Sequence, residues 1–111
     1  MAMVKFSRFD VCLINFDPTL GSEMKKVRPC LIISPDAMNH SRLKTVIIAP
    51  MTSVLHDQFP TRIRTVFNKK EGEVALDQIR AIDRVRIIKN LGSVHASVRK
   101  KVLGVLQQMF S

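Results

Sequence analysis

Apolar positions along the chain fall into short runs broken by proline, glycine and charge, the pattern of a strand-rich domain. Residues 9–16 are apolar except for Asp10 and Asn15 near the ends, and Asp17-Pro18-Thr19 stops the run. Residues 27–34 form a second run with β-branched members, and residues 45–49 a third that Pro50 closes. Residues 60–67 alternate polar and apolar side chains, as a strand with one solvated face does. Residues 73–76 and 85–88 are shorter candidates. Ser34-Pro35-Asp36 has the form of a helix start, with Ser34 as cap and Pro35 first in the helix, so residues 36–40 are expected to make a turn or two. Near the end, Val98, Val102, Val105, Leu106 and Met109 make one apolar stripe at helical spacing. Arg99, Lys100, Lys101, Gln107 and Gln108 fall mainly off it. Gly104 weakens that helix by about 1 kcal/mol relative to alanine, which close packing against a sheet would explain. Many short strands followed by one amphipathic helix predict a mainly β fold with α: a small barrel or coiled antiparallel sheet closed by a helix.

Size and composition narrow this picture. The 111 residues suffice for a single domain over 1–111, and the 46% apolar content is that of a globular chain. No stretch of ~18 apolar residues offers a membrane span. The first residues carry Lys5 and Arg8 without the apolar run of an export leader, so a cytoplasmic protein is expected. Cys12 and Cys30 lie inside apolar runs and read as buried, reduced thiols. His40, His56 and His95 are scattered and no His or Cys pair has ligand spacing, so neither a metal nor another cofactor is expected. Charge says more: 18 Lys and Arg against 9 Asp and Glu give a formal +9, which points to a polyanion, nucleic acid foremost. A basic protein whose charge only aids solubility is the alternative.

The residues with chemistry to offer gather at the ends of the runs. Asp17-Pro18-Thr19-Leu20-Gly21-Ser22-Glu23 follows the first, Arg28-Pro29 opens the second, and Ala49-Pro50-Met51-Thr52-Ser53 closes the third. A carboxylate, a guanidinium and a hydroxyl at strand ends can be aimed at one point, which suits acid–base and electrostatic work on a phosphodiester. These blocks, together with Lys26-Val27-Arg28-Pro29 and Leu76-Asp77-Gln78-Ile79-Arg80-Ala81-Ile82-Asp83, resemble the MazF/PemK/Kid toxins of bacterial toxin–antitoxin pairs. The resemblance runs from about residue 9 to residue 108. It implies a small, partly open antiparallel β-barrel of the Src-homology-3 type, MazF/CcdB/Kid-like, with a short helix after the second strand and an amphipathic C-terminal helix. It also implies a homodimer, a sequence-selective and metal-independent endoribonuclease acting on single-stranded mRNA, and a cognate antitoxin with an acidic tail. The chain departs from the family pattern in places. Arg8-Phe9-Asp10 stands where many relatives open with Arg-Gly-Asp, Met24-Lys25-Lys26 makes the first loop more basic, and Ser22 and Ala75 replace a His and an Arg of some plasmid-borne relatives.

Metal-free RNA cleavage needs a base for the attacking 2′-hydroxyl, an acid for the leaving 5′-oxygen and positive charge on the phosphorane. Arg28 is the first choice for the phosphorane, its forked donors matching two phosphate oxygens and able to hand a proton to the leaving group; a surface salt bridge, to Glu23 for instance, is the alternative. Thr52, at a strand end, can hydrogen-bond the scissile phosphate or simply form the turn, and the resemblance favours the first. Glu23 is a candidate base or a reader of a base edge. Asp77 either joins the catalytic set or forms an ion pair with Arg80. Expected RNA contacts are Asp17, Ser22, Lys25, Lys26, Ser53, Gln78 and Arg80, with Arg84 and Arg86 as further candidates; Asp83 is expected to cap or pair locally. His95 reads as a helix-cap residue, and His40 and His56 as loop residues. The rival from another class is a non-enzymatic toxin of the same fold, like CcdB, which binds DNA gyrase through a Trp-containing C-terminal segment. This chain has no Trp and ends Gln107-Gln108-Met109-Phe110-Ser111.

Overall fold

A computed structural model describes residues 3–16, 26–56 and 58–111 of the chain. Seven strands and two helices follow one another as β1 (Asp10–Asn15), β2 (Val27–Ile32), α1 (Asp36–Asn39), β3 (Thr45–Thr52), β4 (Arg62–Phe67), β5 (Lys70–Ala75), β6 (Arg80–Asp83), β7 (Ile87–Ser93) and α2 (Ala96–Met109). Short 3-10 turns, Leu76–Gln78 and Arg84–Arg86, precede β6 and β7. All pairings are antiparallel, in the order β4-β5-β3-β2-β1-β7, with β6 also on β3. The result is the expected curled half-barrel sheet with a closing helix.

The long strand β3 produces the curl. Its first half pairs with β6, from Thr45↔Asp83 to Ile48↔Arg80, and its last two residues pair with β5, Met51↔Val74 and Thr52↔Glu73. On its other edge it pairs with β2, from Ile32↔Ile48 to Cys30↔Pro50. Pro50, expected to end the strand, is instead carried within it. It stands between the last partner on β6 and the first on β5, where a missing N–H interrupts neither ladder.

Both faces of the sheet are covered, which is why the first runs read as continuously apolar. One face carries Val11, Leu31, Ala49, Ile63, Val74 and Leu76 under Val98 and Val102 of α2; the other carries Cys12, Ile14, Cys30, Ile32, Val46 and Ile48 under Phe6. The helix stripe is as expected, but Gly104 is not explained by close packing: a Cβ there would meet nothing within 4 Å. His95 caps α2, its Nδ1 accepting from the Ser97 amide at 3.1 Å. Asp83 caps locally as well, accepting from the Val85 amide at 3.0 Å. Ser34 does not cap α1; Pro35 holds that position, and the buried Ser34 hydroxyl bonds to Asn39 and accepts from the Ile47 amide. Cys12 and Cys30 are free and buried, and burial first of all pushes both thiols up to about 12. Phe9, at the position of the relatives' glycine, has a left-handed φ of 72°. Its ring is set in the core between the guanidiniums of Arg8 and Arg99, 5.1 and 6.0 Å from the centroid. Among the described residues, no helix is long and apolar enough to cross a membrane.

Candidate nucleic-acid interface

Arg28 leaves the sheet near the start of β2, and Thr52 is the last residue of β3. The two line one cavity of about 520 Å³. Its floor is apolar, from Leu13, Pro29, Met51, Phe67 and Leu91, and its rim is polar, with Ser53, Asn68, Lys70 and Glu71 beside Arg28 and Thr52. Such a space takes a planar, apolar-faced group while its rim holds charge. Among the described residues the Arg28 guanidinium has no ion-pair partner, and its side chain is exposed. The Thr52 hydroxyl oxygen accepts from the Val54 amide at 3.1 Å, so its proton is left to donate elsewhere. Gly72 is required behind it: a Cβ there would stand 2.7 Å from the Thr52 carbonyl oxygen.

Arg28 also borders a second cavity of about 450 Å³, lined by Phe16, Lys26, Pro50, Gln78 and Arg80. The Arg80 guanidinium lies 5.2 Å from the centroid of Phe16, a paired cation and ring of the kind on which bases stack. The fold therefore gathers Lys26, Arg28, Thr52, Ser53, Gln78 and Arg80 around two adjoining cavities that share one guanidinium. The expected Asp17, Ser22, Glu23 and Lys25 lie outside the described residues.

Asp77 stands apart from this group. Its carboxylate accepts from Arg62 Nε at 2.8 Å and Nη2 at 3.2 Å and from Thr61 Oγ1 at 2.9 Å, and it lines neither cavity. The Arg62 contact, helped by Thr61, holds it below the usual carboxylate range. The pairing with Arg80 read from the sequence is thus replaced by one with Arg62, because β4 returns beside the Leu76–Gln78 turn while Arg80 turns to Phe16. Arg84, another candidate contact, is bound inward to the carbonyls of Leu43 and Asn39. Arg86 Nη1 reaches the carbonyl of Asn15 at 3.3 Å.

The sequence reading missed the far wall of the first cavity, the β4–β5 hairpin. Asn68 and Lys69 both have positive φ, 50° and 64°, which makes a tight two-residue turn and brings Lys70, Glu71 and Gly72 to the cavity. The signal available was an Asn in a polar tetrad directly after an alternating run.

A curled, basic half-barrel, whose cleft holds a strand-end hydroxyl and an arginine with no ion pair among the described residues, defines a small domain built to hold a polyanion. The family model of PemK-like, MazF-like toxins of type II toxin–antitoxin systems matches residues 7–110, and the chain belongs to that family. It is 34% identical over 110 residues to endoribonuclease PemK of Escherichia coli, covering 94% of this chain and 81% of that protein. To endoribonuclease EndoA of Bacillus subtilis (strain 168) it is 27% identical over 104 residues, covering 90% of each. Among solved structures, MazF (Form-I) from Deinococcus radiodurans superposes with a TM-score of 0.74 at 27% identity, over 97% of both chains. A MazE-MazF structure (Form-III) from the same organism gives 0.73 at 27% identity, over 93% of this chain and 94% of that one.

Proposed function

We propose that this chain is an endoribonuclease toxin that cuts single-stranded RNA without a metal. Family membership and the names of its relatives support the activity; the observation that carries the chemistry is the cavity shared by Arg28 and Thr52. The 2′-oxygen of the nucleotide before the cut attacks phosphorus as its proton leaves. The 5′-oxygen departs with a proton delivered through its hydrogen bond to the Arg28 guanidinium, which regains one from solvent, giving a 2′,3′-cyclic phosphate and a 5′-hydroxyl. Arg28 puts forked donors on the non-bridging oxygens, where charge grows in the transition state. Thr52, its oxygen already held by Val54, donates its proton to the same phosphate. Glu23 takes the attacking proton in this scheme, and Asp77 supports from the β4 side through Arg62. Lys26, Ser53, Gln78 and Arg80, with Asp17, Ser22 and Lys25, grip the strand on either side. Bases stack on Phe rings and Arg planes, since the chain has neither Trp nor Tyr.

The reading extends to partners. The +9 charge suits RNA and equally the acidic tail of an antitoxin, and related solved structures are MazE-MazF pairs. The working unit is a homodimer in the cytoplasm, where mRNA is found. In EDTA the purified protein should cut single-stranded RNA at a short recurring sequence and leave duplex RNA whole, and Arg28→Ala should slow the cut about 10²–10³-fold. Intact single-stranded RNA together with inhibited gyrase supercoiling would give the case to the CcdB-like rival. Sedimentation or mass measurement in solution should return twice the chain mass.

A further inference from the structure

The proposed reaction leaves one buried charge unused. Glu73 of β5 is fully buried, and neither of its carboxylate oxygens has a hydrogen-bond partner among the described residues. Leaving such a group unpaired is costly, so its surroundings must supply charge. The nearest side-chain nitrogens are Arg62 Nη1 at 3.5 Å and His56 Nδ1 at 3.6 Å, and Arg62 Nη1 also donates to that ring nitrogen at 3.4 Å. Arg62 is already committed: its Nε and Nη2 hold Asp77, so one guanidinium faces two carboxylates. Arg62 Nη1 thus stands between the buried carboxylate and the His56 ring, donating to Nδ1 and facing Glu73.

The position of these groups relative to Thr52 gives the cluster a second meaning. Glu73 is the register partner of Thr52 in the β3–β5 ladder. His56 lies four residues beyond Thr52, in the loop that leaves β3, and its ring stacks on Phe59 with centroids 5.8 Å apart. Between them, the Val54 amide holds the Thr52 hydroxyl oxygen. The loop is thus tied at one end to the Thr52 hydroxyl and, two residues on, through Arg62 to a carboxylate sunk in the barrel. We infer that Glu73 and His56 are positioning residues that fix the loop after β3 and thereby aim the Thr52 hydroxyl at the phosphate. The inference rests on the endoribonuclease reading. Neither side chain touches substrate in this account; both act through the Val54 amide.

Cleavage of one single-stranded RNA under saturating and limiting substrate tests this. Glu73→Gln keeps the shape and removes the charge, and His56→Ala removes the anchor at a half-exposed side chain. Each should lower kcat about tenfold to a hundredfold, the scale of a misaimed group, with KM within about twofold. His56→Asn, whose side-chain oxygen returns an acceptor for Arg62 near the place of Nδ1, should restore most of the loss. In a Thr52→Ala background neither change should cost anything further. Hydrogen exchange at the Val54 amide, read without substrate, should accelerate in both single variants.

Wild-type kcat in both variants, or losses that multiply fully with Thr52→Ala, would overturn the positioning role. So would unchanged Val54 exchange. A wild-type protein that cuts no RNA would instead strike at the proposed function, and the Val54 exchange readout would still judge the anchor.

Discussion

Arg28 and Arg62 are the same side chain on neighbouring parts of one sheet, put to opposite uses. Arg62, 10% exposed, faces two carboxylates, Asp77 at 2.8 Å and Glu73 at 3.5 Å, and these contacts raise its own affinity for a proton. Arg28 is exposed and has no ion-pair partner among the described residues. A guanidinium saturated by carboxylates holds a barrel closed; one left open in a cleft is available to a phosphate. Counting arginines would never separate them, and the pairing does so at once.

Breaking each in turn should give different failures. Arg62→Met leaves Glu73, 1% exposed at its side chain, as a buried charge without its arginine. The expected cost is about 3–5 kcal/mol in chemical denaturation, and adding Glu73→Gln should recover a good part of it. Arg28→Ala should lower kcat about 10²–10³-fold with the unfolding midpoint unchanged within about 2 °C. Arg28→Lys should rescue little, because an ammonium cannot hold two phosphate oxygens in a fork. Salt sharpens the contrast further. Neutralising six phosphates gives log K against log salt a slope of about −4 for single-stranded RNA, and Arg28→Ala or Arg80→Ala should each reduce it by about 0.7. Asp77→Asn should leave that slope alone.

The smallest effect belongs to the pH dependence of the Asp77 pair. Its folded pKa lies below the ordinary 3.8, so the contribution is present above that value and lost as pH falls through the lower one. The wild type should therefore lose stability below about pH 4 more steeply than Asp77→Asn. The difference should stay under about 1 kcal/mol, because the carboxylate is 39% exposed and screened by solvent. Acid denaturation curves of the two proteins measure it.

Much of this architecture could be read from the chain, for physical reasons that vary by element. The stripe from Val98 to Met109 is long enough to define a helix unaided, and the first two runs are apolar throughout because both faces are covered. Strand β6 was missed because Arg80–Asp83 offers a single fully buried residue, Ile82, and owes its form to pairing with β3. The start of β5 was missed because Lys70, Glu71 and Gly72 show no apolar period. Pro50 misled because proline normally ends a strand, and only the tertiary switch from β6 to β5 makes room for it. Of the residues drawn from the blocks, Arg28, Thr52 and Arg80 line the two cavities. The hairpin wall was not legible, since only long-range strand pairing brings Leu13 and Gly72 to one cavity. The pairing of Asp77 with Arg80, one of its two readings, gives way for the same reason: Arg80 is near in sequence and Arg62 is near in space.

The central claim is that Arg28 and Thr52 act on a phosphate attacked by its own neighbouring 2′-hydroxyl. An oligonucleotide carrying a single 2′-deoxy residue just before the cut, incubated in EDTA, tests it most directly. The account predicts binding like that of the all-RNA strand and no cleavage, while the all-RNA strand yields a 2′,3′-cyclic phosphate and a 5′-hydroxyl. Scission of the deoxy-substituted strand at a comparable rate would contradict it.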